Sequence, residues 1–463
     1  MHYFIITLAL VAFTPFQAHA ATCDVPNAVA NDGIDDLIPI QLALYSGCAH
    51  LGPGTYDVVG KVPGSRWDAL ILRGATLRGS GPATVIRFSG DAGGNDWRGL
   101  SLYADDNLVA DITLDTSGLT NTEEQTHAIH LTGPTQRNTI RGVTINHPSR
   151  GPSSSNLGGG DCIKIASYPT AQSTTQILNN HFRDCDRSGI ATVGGFHGMV
   201  ISNNTFYATG DSDLDVEANG AGSDLIVTSN VFLLGKPGIS AIAVSLSAPL
   251  IERVVFSNNT LEGRGVFVMG GQRMAIANNI IEQRQGFAPT LHVIKNSQEV
   301  LITGNVITRT APADPNPVVK IVNHGTSSPG TVVFSSNIVR NSTNIATCLL
   351  VQSASDLLVS GNQFEWRPLA PVAGIHVLVG VYGAIRKVET FLFAGNVMRG
   401  SARPLTFNAK DAGVGRVVLQ GNTAIGHTEG VQCQDVAANP LGPIVSSGNN
   451  WPAVVPGNCV FRD

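Results

Sequence analysis

The sequence predicts an all-β solenoid, in which short strands stack along one axis, and two repeats support this prediction. The first repeat consists of short segments that end in an asparagine and recur at intervals of 20 to 34 residues. A near-constant period with variable excess is typical of solenoids, because loops rather than strands absorb insertions. We expect the asparagine side chains to stack and to hydrogen-bond along the solenoid. These residues are Asn180, Asn204, Asn230, Asn259, Asn279, Asn305, Asn337, Asn362, Asn396 and Asn422.

The second repeat is a triplet in which two apolar residues flank a central residue, once per coil. On a strand the flanking residues face the core and the central residue faces outward. Because neighbouring strands lie about 4.8 Å apart, the central residues form one continuous groove floor. In chain order these residues are Ser101, His130, Lys164, Ala191, Asp215, Ala243, Phe267, His292, Lys320, Leu350, His376 and Thr406.

The segment after residue 30 predicts a capping helix and a first strand. The Asp-rich turn Asn31 to Asp36 precedes an apolar pattern that includes Ile40 and Leu44, and a Gly-Pro-Gly turn follows Leu51. This order resembles the start of the pectate-lyase-like and polygalacturonase-like families. The resemblance implies a single-stranded right-handed parallel β-helix with an N-terminal capping helix, and a polysaccharide as ligand. Hydrolases, lyases, epimerases and phage tailspikes share this fold, so the resemblance leaves the reaction open.

Composition and segment boundaries limit the function classes. Residues 1–20 read as a signal peptide, residues 21–60 as the N-terminal cap, residues 61–435 as the β-helix and residues 436–463 as the C-terminal cap. We therefore expect a secreted protein, extracellular or periplasmic.

A net charge of -5 excludes a basic field for nucleic acid, so a polyanionic substrate requires a local basic patch. No later apolar run reaches the ~18 residues of a membrane span, and the oligomeric state stays open.

Seven cysteines in an exported chain predict disulfides and one odd thiol. Cys23 and Cys48 bracket the predicted helix, and Cys433 and Cys459 bracket the C-terminal end, so we pair each couple. Cys162 and Cys185 are the third predicted pair, which leaves Cys348 free.

The strongest candidate site is a strand on which three acids alternate with Leu214 and Val216. Asp213, Asp215 and Glu217 are expected to share the outer, wet face, with neighbouring carboxylates ~6.6 to 7 Å apart. That separation overlaps the range for inverting glycosidases. The same three acids are equally suited to form a metal site for Ca²⁺, because this ion prefers oxygen ligands.

A second candidate lies at Asp161. The segment Gly159-Gly-Asp-Cys-Ile-Lys-Ile165 resembles the Gly-Asp-Asp-Cys-Ile-Ala-Ile stretch of polygalacturonase-type hydrolases, with Asp161 on the second Asp. Gly160 replaces the first Asp, and Arg187-Ser-Gly189 replaces the Gly-His-Gly of that family. We therefore do not expect polygalacturonase chemistry proper, and Asp161 serves either in catalysis or in a turn.

The remaining candidates line the groove floor. Lys164 is a candidate catalytic base or carboxylate ligand, and the substrate-binding candidates are His130, Arg187, Phe267 and His292. The preferred function is hydrolysis of a polysaccharide by paired carboxylates without a cofactor. A Ca²⁺-dependent uronate lyase and a non-catalytic glycan-binding surface protein are the alternatives.

Overall fold

The computed structural model describes most of the chain after residue 22. The described residues are 23–91, 96–120, 125–146, 160–207, 209–210, 212–217, 222–233, 240–244, 251–263, 266–269, 271–284, 289–294, 297–310, 316–322, 330–343, 347–352, 354–367, 374–380, 388–400, 403–408, 414–427, 429–434, 441–452, 459 and 461–462. The predicted signal peptide lies outside them. Within these ranges, no helix has the length and apolar character needed to cross a membrane.

Short parallel strands wind around one apolar interior and form three faces, which confirms the predicted all-β parallel solenoid. Face A consists of Asp68–Leu72, Trp97–Leu102, Thr126–Thr132, Ile163–Ser173, Ile190–Ser202, Ser212–Glu217, Ser240–Val244, Val266–Met269, Leu291–Ile294, Val319–Val322, Leu349–Val351, Ile375–Val379, Arg403–Asn408 and Val431–Gln434.

Face B is a separate sheet of fourteen strands. It consists of Gly54–Val59, Thr84–Asp91, Thr113–Thr120, Thr144–Asn146, His181–Arg183, Thr205–Tyr207, Val231–Leu233, Thr260–Gly263, Ile280–Gln283, Val306–Arg309, Ile338–Asn341, Gln363–Trp366, Val397–Arg399 and Thr423–Ile425.

Face C joins face A through Ile163–Ser173 and Ile190–Ser202, which are long enough to pair on both faces. Its other strands are Cys48–His50, Thr76–Arg78, Leu108–Ala110, Thr139–Arg141, Gln176–Leu178, Gly222–Thr228, Ile251–Ser257, Gly271–Ala277, Gln298–Thr303, Val332–Ser335, Asp356–Ser360, Val388–Ala394, Val414–Gln420, Ile444–Ser447 and Phe461–Arg462.

Each coil runs from face A to face C and then to face B, and it pairs in register with the next coil. Inward side chains therefore meet their equivalents one coil away. Phe182, Phe206 and Phe232 stack in the interior with successive ring centroids 4.7 Å apart. This distance matches the ~4.8 Å spacing of strands in a sheet, so the core is a set of stacks that pass through many coils.

The corner between faces C and B carries the predicted asparagine ladder. The backbone N–H and Nδ2 of Asn204 donate to Oδ1 of Asn230 at 2.9 and 3.0 Å, and Asn230 donates to Asn259 in the same way. The bonds continue without interruption from Asn180 to Asn422, so the prediction is confirmed. Asn449, which the sequence repeat did not include, extends the ladder by one coil.

A left-handed residue precedes each ladder asparagine. The φ angle there lies between +56° and +67°, from Asn179 through Gly304 to Gly448. Glycine adopts this conformation freely and asparagine tolerates it, whereas bulky residues do not. This requirement explains the recurring Asn-Asn and Gly-Asn pairs at the corner.

The N-terminal helix is Leu37–Tyr45, which confirms the predicted cap. It buries Leu37, Ile40 and Leu44 against the first coils, while Leu42 is exposed. All three predicted disulfides form: Cys23 to Cys48, Cys162 to Cys185, and Cys433 to Cys459. Cys348 is free and buried.

The predicted outward column on face A holds in register from Ser101 to Leu350. The prediction for His376 is wrong, because Leu350 pairs with Leu378 instead. His376 is fully buried in the interior, with its Nδ1 3.5 Å from Sγ of Cys348. Two overlapping apolar triplets fit this strand, and the fold uses the later one.

Candidate functional site on face A

Two columns of polar side chains, three residues apart on each strand, run along the N-terminal half of face A. Asp68, Arg98 and His127 align in register on three successive coils. Asp161 continues this row on the next coil, because it lies three residues before Lys164, as His127 lies three residues before His130, and Lys164 pairs with His130. Ser101, His130 and Lys164 form the parallel column. We call these two rows the polar columns. They bring two acids, an arginine, two imidazoles and a lysine onto neighbouring coils.

The Asp161 carboxylate lies at the centre of the polar columns and is fully buried. Its Oδ2 is 3.5 Å from Nζ of Lys164 and 3.5 Å from Nδ1 of His127, and its Oδ1 is 4.0 Å from Nε of Arg187. The disulfide of Cys162 ties this segment to the coil that carries Arg187. Two cations thus offset one buried carboxylate, as such a charge requires. The structure therefore brings together the predicted residues Asp161, Lys164 and Arg187.

His127 is a neutral imidazole with a defined tautomer. The backbone N–H of Asp161 donates to His127 Nδ1 at 3.4 Å, and His127 Nε2 lies 3.3 Å from Oε1 of Gln125. Nδ1 is therefore the acceptor and Nε2 carries the proton. Burial lowers the pKa of His127 well below its usual value, and the charges of Lys164, Arg98 and Arg187 lower it further.

His130 stacks on His127 with ring centroids 5.5 Å apart. Its Nδ1 lies 2.5 Å from Oγ1 of Thr132. Burial lowers the pKa of His130 well below its usual value, with smaller contributions from His127, Arg98 and Lys164. His130 is thus uncharged at neutral pH, which is the protonation state that a general base requires.

A hydrogen-bonded group around Asp68 extends the polar columns toward the N-terminus. The Asp68 carboxylate accepts bonds from Oγ of Ser101 at 2.5 Å and from the hydroxyl of Tyr103 at 3.0 Å. Arg98 donates to the same hydroxyl at 3.2 Å and lies 3.9 Å from Asp68. Burial and then the Asp68 charge raise the pKa of Tyr103, so this phenol stays protonated.

The acidic strand lies two rungs beyond Lys164, because Lys164 pairs with Ala191 and Ala191 with Asp215. The expected wet face is wrong for Asp213 and Asp215, which are 3% and 6% exposed. Strand alternation fixes the side to which a residue points and not what covers it. Asp213, for example, accepts a hydrogen bond from the hydroxyl of Thr209, which precedes the strand. The side chain of Glu217 lies outside the described residues.

The two remaining candidates lie farther along the same column. Phe267 pairs with Ala243 and with His292. The Phe267 side chain lies outside the described residues, whereas His292 is 7% exposed. His292 is three rungs beyond Asp215, about 14 Å at ~4.8 Å per rung, so the structure does not bring it to the polar columns.

Sequence reasoning did not select Asp68, Arg98, His127 or Tyr103 as site residues. A signal for two of them was present in the sequence. Arg98 precedes Ser101 and His127 precedes His130 by the same three positions that separate the selected Asp161 from Lys164. This spacing places one polar residue at the start of each strand and another at its centre. Only the central residues lie between two apolar residues.

No group of three or more His, Cys, Asp or Glu side chains is arranged to hold a metal ion within the described ranges. Because the Glu217 side chain is not among them, the Ca²⁺ site at Asp213, Asp215 and Glu217 stays a prediction.

Comparisons with known proteins place the fold. The model of the right handed beta helix region matches residues 98–281 and 234–364, more than half of the 463 residues. No curated protein matches the chain.

Three similar solved structures are enzymes that act on carbohydrates. The mannuronan C-5 epimerase AlgE6 A-module of Azotobacter vinelandii shares 16% identity over 94% of this chain and 100% of that chain, with a TM-score of 0.42. The GH87 alpha-1,3-glucanase catalytic unit of Streptomyces thermodiastaticus shares 13% sequence identity over 97% of this chain and 71% of that chain, with a TM-score of 0.41. The alginate lyase AlyF-OU02 shares 11% sequence identity over 85% of this chain and 82% of that chain, with a TM-score of 0.44. From the extent of the family match, the chain belongs to the right-handed β-helix family.

Proposed function

We propose that the protein degrades an acidic polysaccharide by β-elimination at the polar columns of face A. The observation that carries this proposal is the grouping of a neutral imidazole, His130, with the cations Lys164 and Arg187 around the buried Asp161. Elimination at a uronate needs a base for the C5 proton, a cation for the carboxylate and a proton donor for the leaving oxygen. The polar columns and the adjacent Arg187 together offer one group of each kind.

In the proposed step, Nε2 of His130 removes the C5 proton of a uronate. The freed electron pair forms the C4–C5 double bond as the C4–O bond breaks, and Nζ of Lys164 gives a proton to the leaving oxygen. Arg187 binds the substrate carboxylate, because its side chain, 20% exposed, is more accessible than that of Lys164 at 7%. Asp161, fully buried, positions both cations.

Hydrolysis by paired carboxylates is the second candidate. Asp213 and Asp215 occupy alternate positions on one strand, and both are nearly excluded from solvent. A water-poor setting is how glycosidases keep one carboxyl protonated as the acid while another activates water. Ca²⁺ held by the same acids belongs to the predicted lyase alternative, in which the metal offsets the substrate carboxylate.

The disulfides support action outside the cytoplasm. Such bonds form and persist in oxidising compartments, and three link this chain. We therefore propose a secreted enzyme, in keeping with the predicted signal peptide.

The test is a panel of alginate, polygalacturonate and neutral dextran, assayed for unsaturated-uronide absorbance and for reducing ends. We expect both signals to rise together on a uronate polymer and to persist with a chelator. Loss of both signals with chelator would instead identify the Ca²⁺-dependent lyase. Reducing ends without absorbance would identify hydrolysis, and binding with neither signal would identify a non-catalytic glycan-binding protein.

The variant Asp215→Asn separates the two enzymatic candidates, since it keeps the shape of the side chain and removes the charge. If elimination occurs at the polar columns, its turnover should stay within about tenfold of the wild type. If Asp215 is an acid, base or metal ligand, turnover should fall by at least ~10²-fold.

A further inference from the structure

We infer that Arg66 and Arg73, held against Trp67 and Tyr103, form a binding subsite for uronate carboxylates at the N-terminal end of face A. This inference rests on the proposed function and specifies its substrate as an acidic polymer that extends beyond the reacting sugar. The four side chains are named below as the arginine subsite.

Aromatic rings fix the guanidinium groups of the arginine subsite. Cζ of Arg66 lies 5.8 Å from the ring centroid of Trp67, and Cζ of Arg98 lies 5.0 Å from the same ring. Cζ of Arg73 lies 5.5 Å from the ring of Tyr103. A ring beneath a guanidinium attracts the cation and restricts its motion, while its N–H groups can still bind a ligand. The cations are therefore partly ordered before a ligand arrives.

Arg66 and Arg73 have no ion-pair partner among the residues that the structure describes. Both side chains are exposed, and no carboxylate among the described residues lies within ion-pair distance of either guanidinium. Some exposed arginines elsewhere on the solenoid do lie against acids, as Arg137 does with Asp106 and Arg253 with Asp224. The arginine subsite is therefore a local basic patch on a chain whose net charge is -5.

The arginine subsite adjoins the polar columns. Trp67 directly precedes Asp68, and Asp68 pairs with Arg98, which pairs with His127. Two rungs separate these strands, about 10 Å at ~4.8 Å per rung. A sugar chain that lies along face A with one unit at His130 therefore reaches the arginines with a neighbouring unit. Arginine binds carboxylates through two parallel N–H bonds, which suits uronates and not neutral sugars.

The test measures binding and does not need turnover. Affinity electrophoresis in gels that contain alginate, polygalacturonate or neutral dextran gives a Kd for each polymer. The double variant Arg66→Ala/Arg73→Ala should bind the uronate polymer about tenfold more weakly than the wild type. Added salt should reduce the difference, and dextran should retard neither protein.

The matched control is Arg253→Ala/Arg273→Ala, which removes the same charge from exposed positions on face C. It should bind uronate polymers as the wild type does. Unchanged binding by the first double variant, or equal weakening by both, would overturn the inference. Cleavage and binding are measured in separate assays, so a failure of the proposed function can be distinguished from a failure of this inference. If no polymer is cleaved and only the first double variant loses binding, the arginine subsite is supported and β-elimination is not.

Discussion

The asparagine ladder and the polar columns are both buried stacks of polar side chains on consecutive coils, but they follow opposite rules. The ladder repeats one neutral residue, and each amide is satisfied by the next, as Asn204 is by Asn230. The polar columns change residue at each rung and carry charge. Nε of Arg98 and both oxygens of Asp161 accept or donate no hydrogen bond within the described chain. Uniform, satisfied stacks support the fold, whereas varied, charged and incompletely bonded stacks indicate a site.

The largest effect should come from the polar columns. His130→Gln keeps a neutral polar side chain beside Thr132 but removes the proposed base, so kcat on the uronate polymer should fall by at least ~10²-fold. Steady-state kinetics measures this, and the melting temperature checks the fold.

The matched control is His292→Gln, another buried histidine of the same outward column. It should change kcat by less than about tenfold. Equal losses in the two variants would contradict a catalytic role specific to His130, and would make the whole column a binding track.

The second effect is on the pH dependence of the free energy of unfolding, because face A strands carry titrating groups and the ladder carries none. Burial, and then the charge of His427, lowers the pKa of His376 from 6.5 to about 3. The folded protein thus binds fewer protons here than the unfolded one, so the stability is complete above pH ~6.5 and is lost as pH falls toward ~3. We expect the free energy of unfolding to fall by roughly 2 to 4 kcal/mol between pH ~7 and pH ~4.5.

Denaturant titrations at both pH values measure this loss. His376→Gln should remove the contribution of His376 and make the pH dependence less steep, while His127 and His130 continue to contribute. A ladder variant such as Asn230→Leu should leave the slope unchanged. A slope in His376→Gln equal to that of the wild type would assign the acid sensitivity to the other groups.

The third effect tests the ladder itself. Asn230→Leu leaves the backbone N–H and Nδ2 of Asn204 without their acceptor, and removes a donor from Oδ1 of Asn259. The free energy of unfolding should fall by about 1 to 3 kcal/mol. Turnover per folded molecule should not change, since the corner lies away from face A. An unchanged free energy in equilibrium unfolding would contradict the ladder as a stabilising element.

The smallest effect is expected at the end of the ladder. Asn449 is half-buried, and within the described part of the chain its Oδ1 accepts only from Asn422, so water replaces part of what Asn449→Leu removes. Its cost in equilibrium unfolding should stay below about 1 kcal/mol. A cost equal to that of Asn230→Leu would mean that position in the ladder does not matter.

The features that could be predicted from the sequence are the repeating ones, and the features that could not are the ones that occur once. The ladder and the outward column from Ser101 to Leu350 recur, and recurrence is visible in one sequence. His376 was misplaced because Ile375-His-Val377 and Val377-Leu-Val379 fit the same apolar pattern. The burial of Asp213 depends on Thr209, which no strand pattern locates. Arg98 and His127 lie near the starts of their strands, where apolar residues do not flank them on both sides as they do the central residues.

The ladder also has a direction. At each link Nδ2 donates to Oδ1 of the asparagine in the next, C-terminal coil, so the side-chain carbonyl oxygens all face the N-terminal coils and their dipoles add. Aligned hydrogen bonds polarise one another. Such a row could be continued by a second molecule stacked head to tail, as happens in fibres. Here both terminal side chains are engaged inside the chain: Asn180 accepts from the Val143 N–H, and Asn449 donates to the Leu419 carbonyl and to Ser446. The two terminal side chains therefore spend their hydrogen bonds within the chain rather than on a second molecule stacked end to end.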